Sequence, residues 1–337
     1  MTRGVGLFGR KAEAGRADRH QLYQESVQDT EAEIDFVEET WRALRDRPAE
    51  LLREDFCGTA ATACEWVRRD PLHVAIGVDL DGSVLDWGEA NNVAALSEEQ
   101  AGRIELRQQD VLEPADELAD IALAMNFSYY LFLQRHELLA YFRNVLDGLM
   151  DDGLFLLDAY GGYDAPRNIV EERECEGFTY IWEQANFNPI DSSMDCHIHF
   201  TFPDGSRIER AFSYHWRLWT LPEIRELLEE AGFSEVTVYW EGTDEASNEG
   251  NGEYAPAEAE LAEVAARQRE LVGPEDPATL RTILDGLPRA RLHPIHGCGH
   301  VPQRECPLDF LEVLKGGLEL EPPEPKPIGE PVMETEP

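Results

Sequence analysis

The sequence has few basic residues and no closely spaced cysteine pair. It contains 29 Lys and Arg against 68 Asp and Glu, which gives a formal net charge of -39. A surface of that sign repels phosphate backbones and anionic membranes, so we expect neither nucleic acid nor membrane as a partner. None of the six cysteines forms a CxxC motif. This predicts reduced thiols in the cytoplasm rather than a disulfide framework.

Long apolar runs and a hydrolase nucleophile are also missing. No apolar run is long enough to span a bilayer, and the N-terminus shows no apolar signal segment. No GxSxG occurs, so the strained elbow that carries a hydrolase serine is absent. The 337 residues still contain enough apolar side chains for one large domain or two small ones.

Residues 51–81 have the pattern of a βαβ unit. An apolar run at 51–56 leads into a turn of small residues, and residues 60–69 favour a helix with one apolar face. Residues 73–78 (HVAIGV) are short, apolar and β-branched, as in a buried parallel strand, and Asp79 follows them. The pattern predicts a nucleotide-type site at the carboxyl ends of these strands.

Strands and helices continue to alternate beyond this unit. We expect a helix at 18–47 before this unit. After the unit we expect, in order, a helix at 83–95, strands at 103–108 and 120–127, a helix at 135–149 and a strand at 154–158. Residues 221–231 and 236–240 predict a further helix and a sixth strand, and residues 291–296 are the candidate for a seventh. The order predicts an α/β fold with a doubly wound, Rossmann-like, mostly parallel sheet.

The alternation changes between residues 178 and 219. Three segments there alternate apolar and polar residues and are separated by turns at 188–189 and 203–205, which predicts an antiparallel β insertion. His197 and His199 share one face of its middle strand. They have no evident third ligand, so we expect a solvent-facing pair and no metal.

The turn at 54–60 (EDFCGTA) resembles the first motif of class I S-adenosylmethionine-dependent methyltransferases, an acid followed by glycines at alternate positions. Glu54 matches the acid, Gly58 the middle glycine and Ala60 the last, whereas Phe56 departs from the first. Asp79 matches the acid that takes the ribose hydroxyls. The resemblance covers residues 20–245. The acidic surroundings also suit a phosphate-free, cationic ligand better than a dinucleotide.

The resemblance implies S-adenosylmethionine as cofactor and in-line methyl transfer to a small molecule, or else to a protein. The implied cofactor-binding residues are Glu54, Cys57, Gly58, Ala60, Asp79, Leu80, Asp110, Val111, Asn126 and Tyr23. The β insertion would cover the site, and the implied substrate-binding residues are Tyr129, Tyr130, Trp216 and Trp219. Tyr160 and His215 are the candidates for a general base, which is needed only if the acceptor must lose a proton.

We expect a flexible terminus at 1–18, a methyltransferase domain at 19–245 with its insertion at about 177–219, an extension at 246–317 and a disordered, Pro- and Glu-rich tail at 318–337. Residues 276–314 resemble the C-terminal end of an α/β-hydrolase, with His300 at the catalytic position but no nucleophile. The extension's histidines and cysteines match no standard zinc spacing. A non-catalytic binder of S-adenosylmethionine or nucleotide, and a hydrolase-related enzyme that uses His300, remain as alternatives.

Overall fold

The computed structural model describes residues 12–162, 164–243 and 250–257. Its centre is a five-stranded parallel sheet of order β3-β2-β1-β4-β5. The strands are β1 (Leu51–Asp55), β2 (Val74–Asp79), β3 (Ile104–Gln108), β4 (Ala119–Ala124) and β5 (Leu149–Leu157). The predicted doubly wound sheet is therefore confirmed, and the change of strand order beside β1 places a crevice at its carboxyl edge.

Seven helices of the described residues accompany the sheet. They are α1 (Arg19–Val27), α2 (Thr30–Leu44), α3 (Ala61–Arg69), α4 (Gly82–Asn91), α5 (Glu98–Ala101), α6 (Arg135–Asp147) and α7 (Leu221–Ala231). Apolar residues of α2, α3 and α4 pack with Leu52 and Ile121 in one buried cluster, whereas α6 and α7 pack with Val78 and Ala122 in another. Neighbouring strand residues thus serve opposite faces, which is why the strands are nearly continuous in apolar residues.

The helix predicted at 18–47 is in fact two helices. The break lies at Gln28 and Asp29, whose backbones are not helical, and the Asp29 carboxylate caps α2 by accepting from the Ala32 amide at 3.2 Å. Asp18 caps α1 in the same way. No proline or glycine marks this break, so the apolar spacing alone predicted one continuous helix.

The β insertion is confirmed as a four-stranded antiparallel sheet. It consists of β6 (Ile169–Cys175), β7 (Phe178–Phe187), β8 (Ser193–Thr201) and β9 (Arg207–Arg217), in that order. It begins one strand earlier than we expected, because β6 (IVEEREC) is an acidic edge strand without clear alternation. The amides of Glu13 and Ala14 donate to Asp204 and Ser206 in the β8–β9 turn, so the chain preceding α1 is fixed to the insertion.

The sixth strand predicted at 236–240 is not part of the central sheet. Residues 235–238 are not in a strand, and β10 (Tyr239–Thr243) instead pairs with β11 (Gly250–Pro256) in a separate antiparallel hairpin. Tyr239 and Tyr254 each lie 5.3 Å from the Phe36 ring of α2, measured between ring centroids. Their packing on α2 accounts for the hairpin's position.

The remaining predictions fall outside the described residues. These are the seventh strand at 291–296, the hydrolase-like segment with His300, the histidine and cysteine group of the extension, and the tail. In the part of the chain that the structure describes, no helix is long and apolar enough to cross a bilayer.

Candidate functional site

The turn after β1 has three left-handed residues at alternate positions. Phe56, Gly58 and Ala60 have φ values of 57°, 54° and 57°. A residue with a side chain pays about 1–2 kcal/mol for this conformation, whereas glycine does not. The chain therefore has left-handed torsions at the three alternate positions where the resemblance implies glycines, although only Gly58 is a glycine.

Neighbouring helices hold the same turn. A Cβ on Gly88 of α4 would lie 2.5 Å from the Thr59 carbonyl oxygen, so only glycine permits this approach. Asn92 donates to that carbonyl at 2.8 Å, and Gln24 of α1 donates to the Thr59 hydroxyl at 2.9 Å. A Cβ on Gly58, in contrast, would meet no atom within 4 Å. Gly58 therefore faces the open side of the turn.

Asp79 links the turn to the end of β2. Its Oδ2 accepts from the Gly58 amide at 2.8 Å and its Oδ1 from the Asp81 amide at 2.9 Å. Each carboxylate oxygen retains a second lone pair for a ligand hydroxyl. Leu80, the next residue, is 69% exposed, which is unusual for a leucine, and offers an apolar surface beside this carboxylate.

Glu54 lies under the first turn of α3. Ala60 has no side-chain acceptor for that helix end, and the Glu54 Oε2 accepts from the Ala63 amide at 2.9 Å instead. The carboxyl is 5% exposed. Burial raises its pKa to about 8, and the nearby charges of Glu33 and Asp79 act in the same direction. Cys57 is buried beside it, and burial raises the pKa of its thiol.

Asp158 supports the loop after β4. Its two carboxylate oxygens accept from the amides of Asn126 and Phe127 at 2.8 and 2.9 Å. Both of these residues have left-handed backbones, with φ values of 58° and 54°. Burial raises the pKa of Asp158 to about 6. The carboxylate thus holds a strained loop at the carboxyl edge, where the resemblance places Asn126.

Glu33 of α2 brings a third carboxylate to this edge. Its Oε2 accepts from the Thr62 hydroxyl at 3.0 Å. Burial raises its pKa to about 7, and the charge of Asp158 contributes in the same direction. The side chain retains some contact with solvent even though burial dominates its pKa, which is the combination expected of a group that lines a recess.

Tyr23 of α1 joins the parallel sheet to the insertion. Its hydroxyl lies close enough to Glu33 and Asp158 of the parallel-sheet side, and to Tyr214 of β9, for these groups to affect its pKa. Its ring lies 5.0 Å from that of Phe212. Burial raises its pKa above the ordinary value for tyrosine. Tyr23 of α1 therefore packs on the β insertion and lies near the carboxylates of the parallel-sheet side.

The insertion turns an aromatic surface toward this region. Tyr180 and Trp182 of β7 share a face with Tyr214 and Trp216 of β9, and the rings of Tyr214 and Trp216 stack at 4.4 Å. Trp216, one of the predicted substrate-binding residues, is itself buried, and its ring centroid lies 6.4 Å from that of Phe127, the loop residue held by Asp158. Tyr160 packs on the same loop residue at 5.6 Å.

Several predicted contact residues are placed elsewhere. Tyr129 and Tyr130 are fully buried, and their hydroxyls donate to backbone carbonyls, including that of Asp158. Trp219 is also buried, and its indole donates to the Phe132 carbonyl. These three side chains support the site from beneath and present no accessible surface to a ligand. The reason is the continuous packing of the loop after β4 on α6 and α7.

His215 faces away from the aromatic surface. It is an outward neighbour of Tyr214 and Trp216 on β9, is exposed, and pairs with Asp195 at 2.7 Å. The structure therefore does not bring it to the candidate site.

Among the predicted cofactor residues, Asp110 lies beyond the end of β3, where its Oδ1 accepts from the Leu112 amide, and Val111 is buried in the core.

The expectation that His197 and His199 face solvent is wrong. His199 is 4% exposed, and its two ring nitrogens contact Glu209 and Glu183 at 2.8 and 2.9 Å. His197 is buried as well and contacts Ser213. The long side chains of the neighbouring strands cover this outer face. Among the described residues, no group of three potential ligands has the geometry to hold a metal ion.

Glu33 and Asp158 were not identified as site residues from the sequence. Asp158 carries a usable signal, since it directly follows β5 at the edge of the sheet where Asp79 ends β2. No sequence pattern marks Glu33 as a site residue, because its position depends on how α2 packs against α3.

Comparison with known proteins identifies the fold. No protein-family model matches the chain, and no curated protein matches it. Solved structures do. An S-adenosylmethionine-dependent methyltransferase from Clostridium acetobutylicum has a TM-score of 0.53 and 18% identity, over 68% of this chain and 91% of its own. CalS10, an amino pentose methyltransferase from Micromonospora echinaspora with S-adenosylmethionine bound, has a TM-score of 0.51 and 14% identity, over 74% and 97%.

A third structure is the sugar N-methyltransferase KedS8 from a Streptoalloteichus species, with a TM-score of 0.50, 17% identity, and coverage of 72% and 93%. The chain has the class I methyltransferase fold, with an antiparallel β insertion. At these identities the likeness concerns the fold.

Proposed function

We propose that the protein is an S-adenosylmethionine-dependent methyltransferase that acts on a small molecule. The observation that carries the proposal is the left-handed turn after β1, with Gly58 facing open space and its amide bound to Asp79. That pairing combines a close-approach surface with a carboxylate suited to ribose hydroxyls. The fold and the names of the compared structures, two of which refer to sugar acceptors, support the same function.

When bound, S-adenosylmethionine supplies a methyl group activated by a sulfonium. In the proposed site, Asp79 binds the ribose, Leu80 packs on the base, and the open side of the turn at Gly58 faces the ligand, while the buried Glu54 holds the start of α3 behind that turn. Asn126 and Phe127 border the position of transfer. Catalysis then consists of positioning, because in-line displacement needs no covalent enzyme intermediate.

The test is calorimetric titration of the full chain with S-adenosylhomocysteine, with NAD as the control ligand. We expect micromolar binding of the first and none of the second. Asp79→Asn should weaken binding by about 1–3 kcal/mol, as for hydroxyls that lose a charged acceptor. Asp86→Asn, an exposed change on α4, should leave it unaltered. Absence of binding, or equal affinity in the two variants, would reject the assigned site. Binding with no methylation of any acceptor would indicate the non-catalytic alternative.

A further inference from the structure

Helix α1 shares a hydrophobic core with the β insertion. Leu22, which is 7% exposed, packs in one buried cluster with residues of the insertion, namely Phe178, Ile198, Phe200 and Ala211. All described members of this cluster lie in residues 17–27 or 175–214. The apolar residues of α2, in contrast, pack with strands of the parallel sheet. The core therefore assigns α1 to the insertion, although α1 precedes the parallel sheet in the chain.

Further contacts fix α1 and the residues before it to the insertion. The Tyr23 ring lies 5.0 Å from that of Phe212, and the Arg19 guanidinium lies 5.3 Å from the centre of the same Phe212 ring. The chain before α1 donates two backbone amides to side chains of the β8–β9 turn, at 2.9 and 3.0 Å. Residues 12–27 and 169–217 are therefore held together by apolar packing as well as by hydrogen bonds, and we call them the insertion module.

Two side-chain hydrogen bonds join this module to the elements beside the candidate site. Gln24 Nε2 donates to the hydroxyl of Thr59, in the turn after β1, at 2.9 Å. Trp87 Nε1 of α4 donates to Asp18 Oδ2 at 2.9 Å. We call these two hydrogen bonds the latch. The latch thus connects the module to the turn after β1 and to the helix that follows β2, which are the two elements that flank the candidate cofactor site.

The module is anchored more firmly at its other end. Along β8, Phe200 packs in the core shared with α1, whereas Met194 is buried in the core formed with α6 and α7. The chain between α1 and α2 is not helical at Gln28 and Asp29, so α1 can move without α2. Each intramolecular hydrogen bond shifts an equilibrium by only about two- to tenfold, and the latched end therefore separates more readily than the anchored end.

We propose that the insertion module separates from the parallel-sheet half at the latch to exchange the cofactor, and that the latch reforms to hold the bound cofactor. This inference rests on the proposed function. Separation moves Gln24 away from Thr59 and Asp18 away from Trp87, while the core that α1 shares with the insertion stays intact. The turn after β1 then becomes accessible from the side of α1.

The first experiment needs no ligand. Hydrogen exchange of the α1 amides is followed by mass spectrometry in Leu22→Ala and in a double variant that combines Gln24→Leu with Trp87→Phe. We expect exchange at least about fivefold faster in Leu22→Ala, because that change weakens the shared core. The double variant should differ from the wild type by less than about twofold, because the insertion still holds α1. Equal effects, or a larger effect in the double variant, would show that the parallel-sheet half holds α1 and would overturn the proposal.

The second experiment measures the association and dissociation rates of S-adenosylhomocysteine by surface plasmon resonance on the full chain. Gln24→Leu and Trp87→Phe each remove one donor of the latch. Gln21→Leu is the matched control, because the Gln21 amide donates to Glu25 within the same helix at 2.8 Å.

Weakening the latch acts on the free and the ligand-bound protein alike. We therefore expect association and dissociation to accelerate together, by about two- to tenfold in each latch variant, with a dissociation constant that stays within about twofold of the wild type. Gln21→Leu should have wild-type rates.

The pattern of the two rates decides the outcome. Faster dissociation with unchanged association would show that Gln24 and Trp87 stabilise the bound ligand rather than control its exchange, and it would overturn the proposal. Wild-type rates in the double variant would overturn it as well. Failure of the wild-type protein to bind S-adenosylhomocysteine would remove the proposed function and the role of the latch with it, whereas hydrogen exchange would still decide whether α1 belongs to the insertion.

Discussion

Replacing Glu33 with glutamine should stabilise the ligand-free protein at alkaline pH. The carboxyl has a pKa of about 7 in the folded chain, against an ordinary 4.5, chiefly because it is buried. Between these two pH values the folded state holds a proton that the unfolded state has released. Stability therefore falls as the pH rises from 4.5 to 7, and the full penalty is present above pH 7.

The magnitude follows from the size of that shift. A difference of about 2.5 units corresponds to roughly 3.4 kcal/mol at about 1.36 kcal/mol per unit. The side chain is partly accessible, and solvent screening reduces the effect to about 1–2 kcal/mol. Glutamine keeps an amide oxygen for the Thr62 hydroxyl and removes the charge. The free energy of unfolding of the variant should exceed that of the wild type by this amount at pH 8, and by less than about 0.5 kcal/mol at pH 5.

The assay is urea denaturation at both pH values, with unfolding monitored by tryptophan fluorescence. Glu31→Gln is the control for the loss of a negative charge near the N-terminus of α2. The control should show no gain that depends on pH. A loss of stability in Glu33→Gln at pH 8, or an equal gain at pH 5 and pH 8, would show that burial does not raise the pKa of the Glu33 carboxyl as described.

Three further substitutions test the architecture of the site. Gly88→Ala should lower the free energy of unfolding, measured by urea denaturation, by about 1–3 kcal/mol, because the added methyl group forces the turn after β1 to move. It should also weaken the binding of S-adenosylhomocysteine. Stability and binding equal to those of the wild type would contradict the close approach of Gly88 to the Thr59 carbonyl. Ala60→Gly should be at least about 1 kcal/mol less damaging than Ala61→Gly, because only the former relieves a left-handed alanine; equal losses would argue against that backbone. Asp158→Asn should lose about 1–3 kcal/mol relative to the exposed change Asp151→Asn, because asparagine replaces one of the two accepting oxygens with an NH2 group that cannot accept from a backbone amide; equal unfolding midpoints for these two variants would remove its role in holding the loop.

The parallel sheet was predictable because its strands are buried on both faces and therefore stand out as short apolar runs. The positions of Glu54 and Asp79 at the carboxyl ends of β1 and β2 were predictable for a related reason, since strand ends mark the edge where ligands bind. The prediction of a sixth strand at 236–240 in the central sheet was wrong, because an apolar segment of five residues does not specify which strand it pairs with. Glu33 and the orientation of His215 depend on packing between distant segments, and no local pattern records such contacts.

The buried histidines of the insertion show the same limit. Alternation in β8 correctly separated His197 and His199 from the core face. It gave no information on whether neighbouring side chains would cover the opposite face, where glutamates enclose His199.

The turn after β1 has a consequence for how sites of this kind are recognised. Its shape is specified by three backbone torsions, and the chain reaches them with phenylalanine, glycine and alanine. The residue types at positions 56 and 60 are therefore free to vary as long as the surrounding contacts compensate for the strain. The spacing of glycines in the sequence therefore does not record this turn, whereas the φ angles at positions 56, 58 and 60 do.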